Sequence, residues 1–151
     1  MLPCRRKTSG GRANRNMEPI WEELYRRAAA VRQERRISPF VEAGGVAAAL
    51  LTGAGNIYTG VCIDTACSLG MCAERNAIAN MITNGEHDIH RLAVVMPDGQ
   101  LGQPCGACRE LMMQLGRDSG EIEILTDLAS GASVRLRELC PDWWTEARYD
   151  C

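Results

Sequence analysis

At 151 residues, 46% hydrophobic and 24% charged, the chain has the size and make-up of one domain able to bury a core. No apolar run approaches ~20 residues, which excludes a membrane-spanning helix. The net charge of −2 is uneven: residues 1–17 hold Arg5, Arg6, Lys7, Arg12 and Arg15 and no acid, leaving 12 cations against 19 acids, a net −7, over residues 18–151. A body that acidic is a poor match for a phosphate backbone, so no nucleic-acid partner is expected.

Residues 1–17 read as a disordered basic tail and 18–151 as a single domain. The start, MLPCRRKTSGGRANRN, lacks the apolar stretch of a secretory signal, so a cytoplasmic setting is expected, with the eight cysteines as thiols rather than a disulfide framework. The segment 19–36 predicts a helix, with Pro19 in its first turn and Ile20, Trp21, Leu24, Tyr25, Ala28 and Val31 on one stripe. VAAALL (46–51) and IYTGVCI (57–63) predict two strands joined by a Thr-Gly-Ala-Gly-Asn turn. A helix is expected over 73–83, stopped by Asn84 and Gly85. LAVVM (92–96) predicts a buried central strand, and Cys105 to Leu115 a helix with Cys108, Leu111, Met112 and Leu115 on one face. EIEILT (121–126) alternates as a strand does, and SVRL (133–136) is a weaker one. The order α-β-β-α-β-α-β-β implies an α/β fold with helices packed on a sheet.

Two segments carry the chemistry, CAERNAIAN from Cys72 and QPCGACRE around Cys105. Cys72, Cys105 and Cys108 can fill three corners of a zinc tetrahedron and leave the fourth for water. Cys72 and Cys105 each fall where a helix begins, and the N–H groups there favour a thiolate. Cys105 and Cys108 are one turn apart and so share a face. Glu74, two residues past Cys72, is placed to carry a proton. An open metal position beside a proton carrier implies hydrolysis. Three thiolates and a carboxylate make the site strongly negative, so Arg75 and Arg109 are expected to compensate by hydrogen-bonding the sulfurs. A redox Cys-x-x-Cys leaves Cys72 and Glu74 unexplained. A closed structural zinc site would need a fourth ligand from Cys62, Cys67, His87 or His90, and the two histidines read as solvated loop residues.

With Cys-Ala-Glu at 72–74 and Pro-Cys-Gly-Ala-Cys-Arg at 104–109, the chain resembles the cytidine deaminase superfamily, in its small three-cysteine branch. The resemblance runs from about Gly45 to Trp144 and includes VAAALLTGAGNIYTG and LRELCPDWW. It implies a three-layer α/β/α sandwich around a mixed five-stranded sheet, a zinc cofactor and a homotetramer with sites completed by neighbouring subunits. It also implies a small amine-bearing substrate, with attack of an activated water on the amine-bearing ring carbon. By the same resemblance Glu74 moves the protons, the Ala73 backbone lies against the substrate ring, and Trp143 or Trp144 covers the base, unless these indoles serve packing.

The substrate end departs from the family pattern. Members show Asn-x-Glu after the Thr-Gly of the second strand, a pair that grips the ribose hydroxyls. Here Cys62 stands in the Asn position and Asp64 in the Glu position, and Ala43-Gly44-Gly45 replaces the aromatic residue that precedes the first strand's apolar run. A thiol is a weak hydrogen-bond partner. Two readings follow: deamination of a free cytosine nucleoside, with Asp64 still holding the sugar, or the same chemistry on a modified nucleoside, a nucleoside antibiotic of the blasticidin S kind, or a free base. A non-catalytic zinc-stabilised module is a third, but it has no need of Glu74.

Overall fold

A computed structural model describes residues 18–150; the segment read as a basic tail lies outside them. The elements are α1 (Pro19–Val31), β1 (Arg35–Ser38), β2 (Val41–Thr52), β3 (Ile57–Thr65), α2 (Ala73–Thr83), β4 (Ile89–Val95), α3 (Gly106–Met113), β5 (Glu123–Asp127), β6 (Ala132–Arg135) and the short α4 (Leu136–Leu139). Single 3-10 turns occupy Arg117–Glu121 and Glu146–Asp150.

The long strand β2 organises the sheet. β3 lies antiparallel along one edge of it, while the other edge is shared, with β1 on residues 41–43 and β4 on residues 47–52. β5 continues parallel to β4, and β6 runs antiparallel to β5. The sheet is mixed, as expected, with six strands instead of five. The additional strand is β1, which extends the edge of β2 that β4 also uses.

Alternation along the two central strands sorts the core into two layers. Ala48 and Leu50 of β2 and Leu92 and Val94 of β4 face α2 and α3, where they meet Ala77, Ile78, Met81 and Met112. Ala47, Ala49, Ala93 and Val95 face the other way, onto Trp21, Leu24 and Ala28 of α1. The small alanines leave room for the indole of Trp21, which is buried. One helix on one face and two on the other make the α/β/α sandwich.

Residues 32–36 correct the expectation of a longer first helix. Arg32, Gln33, Glu34, Arg35 and Arg36 are adequate helix formers, but the apolar stripe ends at Val31 and a further turn would bury nothing. Arg35 and Arg36 instead pair with Ala43 and Glu42 on the edge of β2 that β4 leaves open.

Two close approaches depend on glycine. A Cβ on Gly60 would lie 2.2 Å from the Ala77 nitrogen and 2.6 Å from the Ala73 oxygen, so the backbone of α2 rides directly on β3. Gly44 has φ +85°, and a Cβ there would lie 2.1 Å from the Gln33 oxygen. Gly44 sits in a bulge: between the pairs Ala43–Ile63 and Ala47–Val61, β2 passes three residues while β3 passes one, Cys62.

Candidate active site

β3 and β4 are both antiparallel to β2 and therefore parallel to each other. α2 follows β3 and α3 follows β4, so both helices begin beyond the carboxyl ends of parallel strands, on one face of the sheet. That is where open α/β sheets present ligand sites. The loop leading to α3 is tied down from the opposite layer: Tyr25 Oη–H donates to the Gly99 carbonyl (2.8 Å) and the Arg32 guanidinium to the Pro97 carbonyl (2.7 Å).

Cys72 and Cys105 occupy the capping positions of α2 and α3 with extended backbones, and neither side chain caps its own helix. Cys108 lies one turn into α3 and is buried. The Sγ atoms of Cys72 and Cys105 are 3.6 Å apart, those of Cys105 and Cys108 3.5 Å, and all three lie within 4.8 Å of one another. Thiolates in tetrahedral positions ~2.3 Å from a zinc ion are about 3.8 Å apart, so the spacing suits that ion. Burial and the nearby Glu74 charge push the Cys108 thiol up. Burial also acts upward on Cys105, but the N–H groups of Cys108 and Ala107 and the neighbouring thiols bring it below the ordinary value. Three sulfurs this close are stable together as thiolates only around a cation, and the donor set fits zinc.

Glu74, the second residue of α2, is 4% exposed. Burial raises its carboxyl above the ordinary range, against the lowering effect of its own N–H, the Cys108 thiol and Arg75. A buried carboxyl tuned upward is suited to taking and returning a proton near neutral pH.

Arg75 points a guanidinium nitrogen at Cys72 Sγ (3.8 Å), and that contact leads the causes that strengthen its hold on its own proton. Arg109 does something else. Its guanidinium donates to the carbonyls of Pro104 (2.7 Å) and Leu139 (3.3 Å), pinning the cysteine loop to the end of α4 rather than to a sulfur. His87 and His90 are exposed, and His90 lies on β4 beside Asp88 (3.2 Å). Among the described residues only the three cysteines form a cluster able to hold a metal, and no described cysteine is in a disulfide.

Cys72, Cys105 and Glu74 line a cleft of about 520 Å³, with the buried Cys108 beside them. Its wall also includes Cys62, Asp64 and Glu34, and Ala73 borders it at the start of α2. Cys62 is buried: the Val46 N–H donates to its Sγ (3.2 Å), and its thiol donates to Asp64 Oδ2 (3.5 Å). Asp64 is exposed to the cleft. Trp144 is not brought to this wall. It is 71% exposed, and its indole N–H, like that of Trp143, donates to the Glu110 carboxylate (2.9 Å each). Trp143 packs against the core, as a structural indole does. Glu34 is the cleft residue that sequence reading missed, because one glutamate in RQERR carries no signal separating it from a solvated helix face.

Residues 20–121 match the family model described as the cytidine and deoxycytidylate deaminase zinc-binding region, about two thirds of the chain and both cysteine segments. The chain belongs to the cytidine and deoxycytidylate deaminase family. A cytidine deaminase of Halalkalibacterium halodurans is 36% identical over 100 residues, 58% of this chain and 75% of that protein. Among solved structures, the cytidine deaminase of Mycobacterium tuberculosis aligns over 84% of this chain and 98% of its own at a TM-score of 0.69 and 26% identity. That of Burkholderia pseudomallei aligns over 80% and 96% at 0.64 and 29%. The chain is an enzyme of the hydrolytic deaminase class. No helix among the described residues is long and apolar enough to cross a membrane.

Proposed function

We propose that this chain is a zinc-dependent deaminase that releases ammonia from a free cytosine nucleoside. The carrying observation is the convergence of Cys72, Cys105 and Cys108 within 4.8 Å beside buried Glu74, at the end of a cleft of nucleoside size. Cys72, Cys105 and Cys108 would hold the ion, which when bound supplies an acidified water at neutral pH. Glu74 accepts a proton, delivers it to the ring nitrogen next to the amine-bearing carbon, and carries a second to the departing amine. Burial raises this carboxyl above its ordinary value, which favours its holding a proton between the two transfers. Arg75 offsets the negative charge at Cys72, and Arg109 holds the cysteine loop. The exposed Asp64 carboxylate accepts hydrogen bonds from the sugar hydroxyls.

A second reading, the same reaction on a different aminated heterocycle, is favoured by one observation. Cys62, in the position of the family's sugar-binding Asn, has its sulfur occupied by the Val46 N–H and Asp64. Ammonia release from cytidine, deoxycytidine, cytosine, blasticidin S and purine bases separates the two. Efficient turnover of cytidine with strong preference over free cytosine supports the first, and preference for another amine the second. No turnover of any amine by zinc-loaded protein overturns both. The same reading has the chain working as a homotetramer. Ile37, Phe40 and Leu69, 61%, 70% and 80% exposed, offer apolar surface for a second copy, and sedimentation equilibrium tests it.

A further inference from the structure

We propose that Glu34 is a specificity-determining residue of the cleft, acting with Asp64 to favour substrates whose unreacting substituent donates hydrogen bonds and to reject those bearing a phosphate. The inference rests on the deaminase reading for which end of the substrate reacts.

The two adjacent glycines of the β2 bulge put Glu34 there. At Gly44 a Cβ would collide with the Gln33 oxygen, so the linker between α1 and β1 lies directly on the strand. At Gly45 there is no side chain to fill the wall. A Cβ there would be 3.9 Å from Glu34 Cδ and 4.0 Å from Pro97 Cγ, and anything larger would take the space the Glu34 carboxyl now holds. Glu34 has no ion-pair or hydrogen-bond partner among the described residues, and the neighbouring Arg35 guanidinium is turned to the Gln33 carbonyl (3.1 Å). Next along β2, the Val46 N–H reaches Cys62 Sγ, and Cys62 in turn reaches Asp64. The wall therefore presents two carboxylates in sequence, Glu34 and Asp64.

Carboxylates accept and do not donate, so a matching substituent must bring hydroxyl or ammonium donors. A phosphate would bring like charge against both. Arg75, the only arginine or lysine lining the cleft among the described residues, is engaged with Cys72. Among the described residues the cations nearest the wall, Arg32 and Arg35, are engaged with the Pro97 and Gln33 carbonyls, and no other arginine or lysine lines the cleft to compensate an anion. Because Glu34 is exposed, its discrimination is several-fold rather than thousands-fold.

The test uses zinc-loaded full-length protein as wild type, Glu34→Gln and Glu34→Lys. The probes are cytidine, 5′-amino-5′-deoxycytidine and cytidine 5′-monophosphate, read by ammonia release and by calorimetric binding. Wild type is expected to rank them amino, hydroxyl, phosphate. Glu34→Gln should shrink the amino-to-phosphate ratio about fivefold, in KM rather than kcat, and Glu34→Lys should reduce it further. A ratio unchanged within about twofold across the three proteins, with ammonia still released, overturns the role of Glu34 and leaves the deaminase reading standing. Graded binding that responds to Glu34, without ammonia from any probe, sinks the cytosine-nucleoside reading and keeps the wall's selectivity. Absence of both binding and turnover overturns the role of Glu34 together with the cytosine-nucleoside reading.

Discussion

At the metal end of the site Cys72, Glu74, Cys105 and Cys108 are set by the first turns of two helices; at the second, Glu34, Cys62 and Asp64 of the cleft wall are set by a bulged strand, its partner and a linker. The first end is local geometry. A residue at a helix start and another one turn later keep their relation whatever surrounds them. The second end is long-range geometry, since residues 34, 45 and 62–64 meet only because β2 pairs on both edges. A cysteine means different things at the two ends. At the helix starts a thiol faces other thiols at metal-ligand spacing, whereas Cys62 is a small buried side chain hydrogen-bonded to its own sheet.

Experiments can break that contrast, beginning where the effect is largest. Cys108→Ser is expected to lose bound zinc, by elemental analysis, and with it all ammonia release; full zinc retention would remove the basis of the cysteine end. Glu74→Gln should keep the zinc but lower kcat by about 10²–10⁴-fold, the usual contribution of a positioned proton carrier. Normal turnover in that variant would end Glu74's part.

Gly60→Ala probes the seat of α2 on β3. A methyl 2.2 Å from backbone forces the helix off the strand and should cost about 1–3 kcal/mol in urea unfolding, taking the cysteine spacing with it. At the wall, Asp64→Ala is expected to raise KM for a nucleoside about tenfold by removing its acceptor, whereas Cys62→Ser should change KM less than about threefold, because its sulfur is turned to Val46 and Asp64. Equal effects of the two would mean that the thiol does touch substrate.

The smallest effect is a pH dependence of stability. Burial raises the Glu74 carboxyl above its ordinary value of 4.5, so the folded metal-free chain holds this proton more tightly than the unfolded chain does. Its contribution is complete below the ordinary value and is lost as pH rises through the raised one. Metal-free wild type should therefore lose stability relative to Glu74→Gln from about pH 4.5 toward neutrality, by urea unfolding. A gap that instead widens as pH falls would reverse the assigned cause.

Sequence alone determined the two cysteine segments, the helix of 73–83 and the central buried strand, because each depends on spacing within a few residues. It also carried the departure at Cys62 and Asp64, visible as a break in a short pattern. It did not carry the strand at 35–38. RQERR reads as helix by local preference, and only the open edge of β2 makes pairing there better than another turn. Nor did it separate the two arginines that follow the cysteine motifs. Arg75 reaches a sulfur, while Arg109 is claimed by carbonyls at Pro104 and at Leu139, 30 residues further along the chain. Tertiary structure alone decided that Glu34 stands in the cleft and that Trp144 does not line it, because side chains far apart in sequence meet only where strand pairing and close glycine contacts bring their backbones together.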